Sequence, residues 1–170
     1  NEADNFIASL DTYYTIKNGK GGYVSLQNGY SDSNGLTLSN SKAPSSLDGL
    51  WHLIKNADNT YSFISAGTTS AGKILGIKGS EGSARTKMYD TNELNSTITT
   101  NFDGTFVLDG TQPSYIKLVG SSNNYLNNRD GYLALWNSSL AADGDQGSQF
   151  YITPIVPNDE FIYAEFNTVE

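Results

Sequence analysis

Three times along this chain an alternating strand is followed by a polar loop, and the loop by a strand that opens on an aromatic residue. The clearest copy spans residues 125–152. Tyr125 and Leu126 form a short apolar step, residues 127–131 read as a polar turn, and Tyr132, Leu133, Leu135 and Trp136 alternate as a strand does. A long polar loop with two acids then leads to Phe150 and Ile152. Weaker copies end at Trp51 and at Phe106. Self-similarity at a period of about 40–50 residues implies an array, a propeller or a closed pseudo-symmetric fold, because no single unit can bury its apolar face alone.

The first unit has strands at 13–17, 23–26, 36–38 and 51–54, with Asn18-Gly19 and Asn28-Gly29 as turns. Residues 51–54 and 61–65 read as a hairpin. The second unit has strands at 61–65, 74–77, 87–89 and 106–108, and the third at 115–118, 125–126, 132–136 and 150–152. Three units are too few for a typical propeller. The pattern predicts an all-β chain, a β-trefoil of three pseudo-repeats and twelve short strands, with a short extra C-terminal strand or tail. Residues 1–10 are a lead-in. Residues 11–157 are the trefoil domain, with units at 11–60, 61–114 and 115–157, and residues 158–170 are a C-terminal strand or linker. Trp51, Phe106 and Phe150 are expected in the core. Pro154 and Pro157 place an edge or boundary near the end of the last unit.

The chain carries eighteen acidic residues against ten scattered basic ones, a net charge of -8. That argues against a nucleic-acid partner, whose phosphates call for clustered Lys and Arg. With no cysteine there is neither a disulfide framework nor a thiolate metal site. His52 is the only histidine, so no histidine-based zinc site is expected, and it is read as facing solvent. No nucleophile motif accompanies it. Asp143 to Gln146 lacks the spacing of a calcium loop and reads as a solvated turn. The paired acids Asp103 with Asp109 and Asp130 with Asp143 lie in turns without the apolar setting that raises a catalytic carboxyl. The expectation is a non-enzyme without cofactor or metal, possessing no membrane-inserting run. The chain does not begin with Met and is read as a mature or trimmed form. Its polar, Tyr- and Asn-rich style suggests an exported protein, secreted or at the cell surface or in the periplasm.

The unit ends Gly49-Leu50-Trp51, Gly104-Thr105-Phe106 and Ser148-Gln149-Phe150 keep the aromatic of a Q-x-W ending and lose its Gln. Ala134-Leu135-Trp136 is similar to a Q-L-W strand end. In these respects residues 11–155 resemble the ricin-type β-trefoil lectin family. The resemblance implies a sugar pocket in which an aromatic at the end of such a strand stacks on the ring while an acid and an amide grip hydroxyls. In the third unit that implies Trp136 as the stacking residue, with Asn127, Arg129, Asp130 and Ser148 as hydrogen-bonding partners. In the second it implies Tyr89, with Asp90 and Asn92. The first unit has Leu38-Ser39 at this place and offers no ring. The expected partner is a glycan or polysaccharide, with an attached catalytic domain or a protein partner also in view.

The residues themselves leave alternatives open. If Leu133 and Leu135 face inward, Trp136 faces outward, and an outward Trp beside a polar loop suits sugar stacking. It equally suits a ring folded under its own loop. A second reading is a protein-binding or protease-inhibitor-like trefoil acting through the long loops at 39–48 and 92–104. A third is a structural spacer, since fold does not fix function.

Overall fold

The computed structural model describes residues 12–39, 41–57, 60–67, 72–77, 85–90, 100–102, 108–118, 124–137 and 145–156, with the backbone alone at 28, 100–102 and 137. Its framework is a ring of six antiparallel strands: β1 (Tyr13–Asn18), β4 (Trp51–Lys55), β5 (Tyr61–Ser65), β8 (Thr100–Phe102), β9 (Ile116–Leu118) and β12 (Phe150–Ile155). Neighbours pair in the order β12, β1, β4, β5, β8, β9. The reciprocal bonds of Ser114 and Phe150, 2.8 and 3.0 Å, close the ring. Each of the six strands is thereby bonded on both sides at some point along its length.

Five of the barrel strands turn alternate residues inward. Tyr14 and Ile16 of β1, Trp51 and Leu53 of β4, Tyr61 and Phe63 of β5, Ile116 and Leu118 of β9, and Phe150 and Ile152 of β12 are all buried. Burying side chains of this size stabilises by about 1.5–3 kcal/mol each. Trp51 also donates from Nε1 to the Val24 carbonyl at 2.7 Å, so its one polar atom is satisfied inside the core.

The second and third strands of each unit form hairpins over one end of the barrel. In the third unit these are β10 (Asn124–Arg129) and β11 (Tyr132–Asn137), and in the second β6 (Ile74–Ile77) and β7 (Thr86–Tyr89). In the first unit the second strand shrinks to a bridge between Tyr23 and Lys17, and residues 26–28 coil into a 3-10 turn capped by Ser25. A small extra hairpin of β2 (Tyr30–Ser31) and β3 (Gly35–Leu36) stands beside it. The three hairpins meet at Thr86. Its Oγ1 accepts from Leu36 N at 3.2 Å and donates to the Leu133 carbonyl at 3.0 Å, tying all three units at their common axis. The chain is a β-trefoil, as its repeats predict.

Two expectations are corrected. The fourth strand of the second unit was expected at 106–108, of which 106–107 lie outside the described residues. Thr100–Phe102 takes that place, with Thr100 opposite Leu118 of β9 and Tyr61 of β5, just as Trp51 lies opposite Ser65 and Tyr14. Thr100 therefore stands where an aromatic anchor was expected. Phe106 lies outside the described residues, and Leu108 is buried in the core. This also shortens the second long loop, since residues 100–102 belong to the barrel. In the third unit, residues 127–129 extend β10 instead of turning, and the turn contracts to Asp130-Gly131. Pro154 lies within β12, beyond the Phe150 bridge, on a stretch paired only with β1. The expected C-terminal strand at 161–166 lies outside the described residues.

Candidate functional site

The β10–β11 hairpin presents Trp136. Its turn residues, Asp130 (φ 55°) and Gly131 (φ 86°), are both left-handed, the combination of a type I′ turn, which suits the right-handed twist of the flanking strands. Asn128 Oδ1 accepts from Gly131 N at 3.1 Å and fixes that turn. The tip is docked on the first unit, where the Gly131 carbonyl accepts from Leu38 N at 2.7 Å and Ser39 N at 3.1 Å. From there β11 runs with Leu133 and Leu135 wholly buried, and Trp136 emerges on the other face with 37% of its surface exposed. The outward placement expected from alternation is the one observed. Arg129 pairs with Tyr132 near the tip, and its Nη1 donates back to the Leu135 carbonyl at 3.3 Å, which brings the guanidinium to the peptide preceding Trp136.

Asp130 is not beside Trp136. It sits at the tip, whereas Trp136 lies opposite Tyr125 near the base, four residues along β11 from Tyr132. At about 3.3 Å per residue the two are separated by roughly 13 Å of strand.

The expectation that Asn127 and Ser148 reach a sugar is corrected more sharply. Both have no exposed surface. Asn127 Nδ2 donates to Ser148 Oγ at 2.8 Å and to Asp145 Oδ2 at 3.1 Å. Asp145 Oδ1 in turn caps the 3-10 turn Gln146–Ser148 by accepting from Gly147 N at 3.0 Å. From the first unit, Asn18 Nδ2 donates to the Gly147 carbonyl at 2.9 Å. These side chains fasten the segment that leads into β12. Asn127 spends its amide N–H groups inside the protein, while its Oδ1 is buried without a partner among the described residues, so its polarity marks structure here. The sequence signal was Asp145 followed by Gly147 and Ser148, a capping pattern within a stretch that read as a solvated turn.

The second unit repeats the placement less openly. Met88 occupies the buried place of Leu135, and Leu38 does so in the first unit, so Tyr89 and Ser39 correspond to Trp136. Tyr89 is half-buried, its hydroxyl donates to the Ile77 carbonyl at 3.1 Å, and Lys87 Nζ lies 4.8 Å from its ring centre. Asp90 is exposed and 3.9 Å from Lys73 Nζ. Asn92 lies outside the described residues.

Other chemistry is sparse. His52 is half-buried instead of facing solvent, with Nδ1 2.9 Å from the Thr12 carbonyl and its ring 4.6 Å from Tyr13. Asp109 is exposed, and the hydroxyl and amide of Thr111 hold its carboxyl below the usual range. Among the described residues no cluster of three potential metal ligands occurs, and no helix is long and apolar enough to cross a membrane. In the loop at 39–48, Ser41 and Ser45 are pinned: Ser41 Oγ donates to the Tyr23 carbonyl at 2.6 Å, and Gln27 Oε1 accepts from Ser45 N at 3.0 Å. Two open cavities lie away from Trp136. One of about 350 Å³ lies between Tyr30 and Tyr132, and one of about 580 Å³ lies over the paired strands β1 and β12.

No protein-family model matches the chain, and neither does any curated protein sequence. Solved structures do match. The designed threefold-symmetric protein ThreeFoil is 14% identical at a TM-score of 0.64, over 84% of this chain and 99% of that one. The Rhizoctonia solani agglutinin is 12% identical at a TM-score of 0.64, over 88% and 99%. An exo-β-1,3-galactanase of Clostridium thermocellum is 14% identical at a TM-score of 0.64, over 88% of this chain and 31% of that one. At such identities the likeness is one of fold, and it agrees with the β-trefoil lectin-like resemblance of the sequence.

Proposed function

We propose that this chain is a non-catalytic carbohydrate-binding module of an exported protein, binding sugar by aromatic stacking and hydrogen bonds. The observation that carries the reading is Trp136: the strand buries Leu133 and Leu135 completely and turns the indole outward. An outward indole offers a flat apolar face to the C–H face of a pyranose, while neighbouring donors meet its hydroxyls. Arg129, held against the Leu135 carbonyl, brings a donor to the peptide that precedes Trp136. Tyr89 with Asp90 forms a second, weaker position, to which Asn92 belongs by sequence, and Asp130 stands at the rim of the hairpin tip. Asn127 and Ser148 contribute by fastening the adjoining turn. Agreement of fold with an agglutinin and with part of a galactanase supports the reading. By the same support, the partner is a glycan or polysaccharide, and the module suits attachment to a catalytic domain. Each site binds weakly, because an exposed sugar gives up water at every hydroxyl it bonds.

Tryptophan emission tests this reading. The chain has only two Trp, and Trp51 is sealed in the core, so Trp136 is the solvent-sensitive reporter. Titration with neutral mono- and disaccharides is expected to shift or quench the exposed component saturably. An emission spectrum unmoved by every sugar of a broad panel would count against the module.

A further inference from the structure

The cleft of about 580 Å³ over β1 and β12 is a second place built to hold a ligand, and one of a different charge. Its floor is the outward face of two paired strands, where Thr15 lies opposite Thr153 and Lys17 opposite Tyr151. One wall is the turn that follows β1, which brings Lys20 and Tyr23 to the same opening. Asn18 shapes that wall: its Oδ1 accepts from Lys20 N at 3.1 Å, and its carbonyl accepts from Gly21 N at 2.9 Å. Gly21 has a φ of 95° and only open space where a side chain would stand. The facing wall is Gly110, whose left-handed backbone comes so close to Thr153 Oγ1 that any side chain there would collide with it.

Two features give the cleft its chemistry. Lys17 and Lys20 both line it, Lys17 with its Nζ 5.7 Å from the ring centre of Tyr23, and both lysines are exposed. No acid is among its described lining residues. The nearest in sequence, Asp109, turns Oδ1 to the amide and hydroxyl of Thr111. The chain as a whole carries a charge of -8, which repels anions at a distance, but beyond about 8 Å physiological salt screens that field. Inside the cleft the two ammonium groups therefore decide which charge is welcome. The second feature is Tyr23 and Tyr151, half-buried phenols that supply ring faces beside hydroxyl groups, the surface that suits a sugar better than a bare ion.

The geometry points to this cleft as a binding site for an acidic saccharide, one bearing a carboxylate or a sulfate. Lys17 and Lys20 hold the anionic group, Tyr23 and Tyr151 cover the ring, and Thr15 and Thr153 meet hydroxyls. The site is separate from Trp136 and stands or falls independently of it.

The test is titration of the whole chain with a chondroitin sulfate disaccharide, followed by the backbone amide signals of Lys17, Lys20 and Thr153. Lactose and sodium sulfate at matched ionic strength run in parallel. The disaccharide is expected to move these signals saturably and more tightly than either control. Lys17→Gln with Lys20→Gln, two exposed changes that leave the core intact, is expected to weaken it at least tenfold, and Tyr151→Ala to weaken it also, while Trp136→Ala leaves it unchanged. Sulfate binding as tightly as the disaccharide would reduce the cleft to an anion site and overturn the proposal. So would lactose binding equally well, indifference to the double lysine change, or no movement at these amides.

Discussion

Asn127 Nδ2 donates a 2.8 Å hydrogen bond to Ser148 Oγ, and neither side chain has any exposed surface. The pair joins the hairpin that carries Trp136 to the turn that opens the last barrel strand. Removing one partner leaves a buried polar group unsatisfied, at a cost of about 1–3 kcal/mol. Asn127→Ala and Ser148→Ala are each expected to lower stability by that amount in urea denaturation. Their folded fractions should bind sugar as the wild type does, because neither side chain touches solvent.

Thr86 is expected to matter more than its size suggests. Its hydroxyl connects Leu36 N with the Leu133 carbonyl at the meeting point of the three hairpins. Thr86→Val keeps the shape and removes both bonds, so the loss should reach about 2 kcal/mol or more. A thermal unfolding midpoint within a degree of the wild type would show that the axis is held by packing alone.

Gly131 is constrained twice. Its φ of 86° belongs to the left-handed region, and a methyl group there would collide with Ser39 Oγ. Gly131→Ala should therefore destabilise by about 1–3 kcal/mol, well beyond the usual change at an exposed turn. Because the hairpin tip docks through this residue, amide exchange should rise first at Leu38 and Ser39, whose N–H groups bond its carbonyl.

Two of the described tyrosines link stability to alkaline pH. Burial pushes Tyr14 up to about 12, and burial together with the hydrogen bond to Asp32 pushes Tyr30 up to about 12. Both exceed the ordinary value of 10.0, so between pH 10 and 12 the folded state holds protons that the unfolded chain releases. The stabilisation is complete below pH 10 and is lost as pH rises through 12. Chemical denaturation across that window should show falling stability, and Tyr30→Phe should flatten part of the fall.

The sequence carried the barrel where its strands alternate apolar residues, as in Tyr14-Ile16, Trp51-Leu53 and Phe150-Ile152. It failed at Thr100, because a threonine gives no apolar signal and Phe106-Val107-Leu108 reads as the better strand. It failed again at residues 127–129, whose polar side chains look like a turn while strand pairing and buried hydrogen bonds keep them extended. The outward placement of Trp136 was legible, since alternation beside two leucines determines it. The cleft at Lys17 and Tyr151 was not, because only the pairing of β1 with β12 brings together residues from opposite ends of the chain.

A glycan array on the whole chain, run beside Trp136→Ala, tests the central claim most directly. The account predicts binding to a defined class of sugars that the substitution weakens at least tenfold, equivalent to about 1.4 kcal/mol or more. Tyr89→Ala should change it less. Undiminished binding of neutral sugars by folded Trp136→Ala, or a folded wild-type chain that binds no neutral glycan, would contradict it.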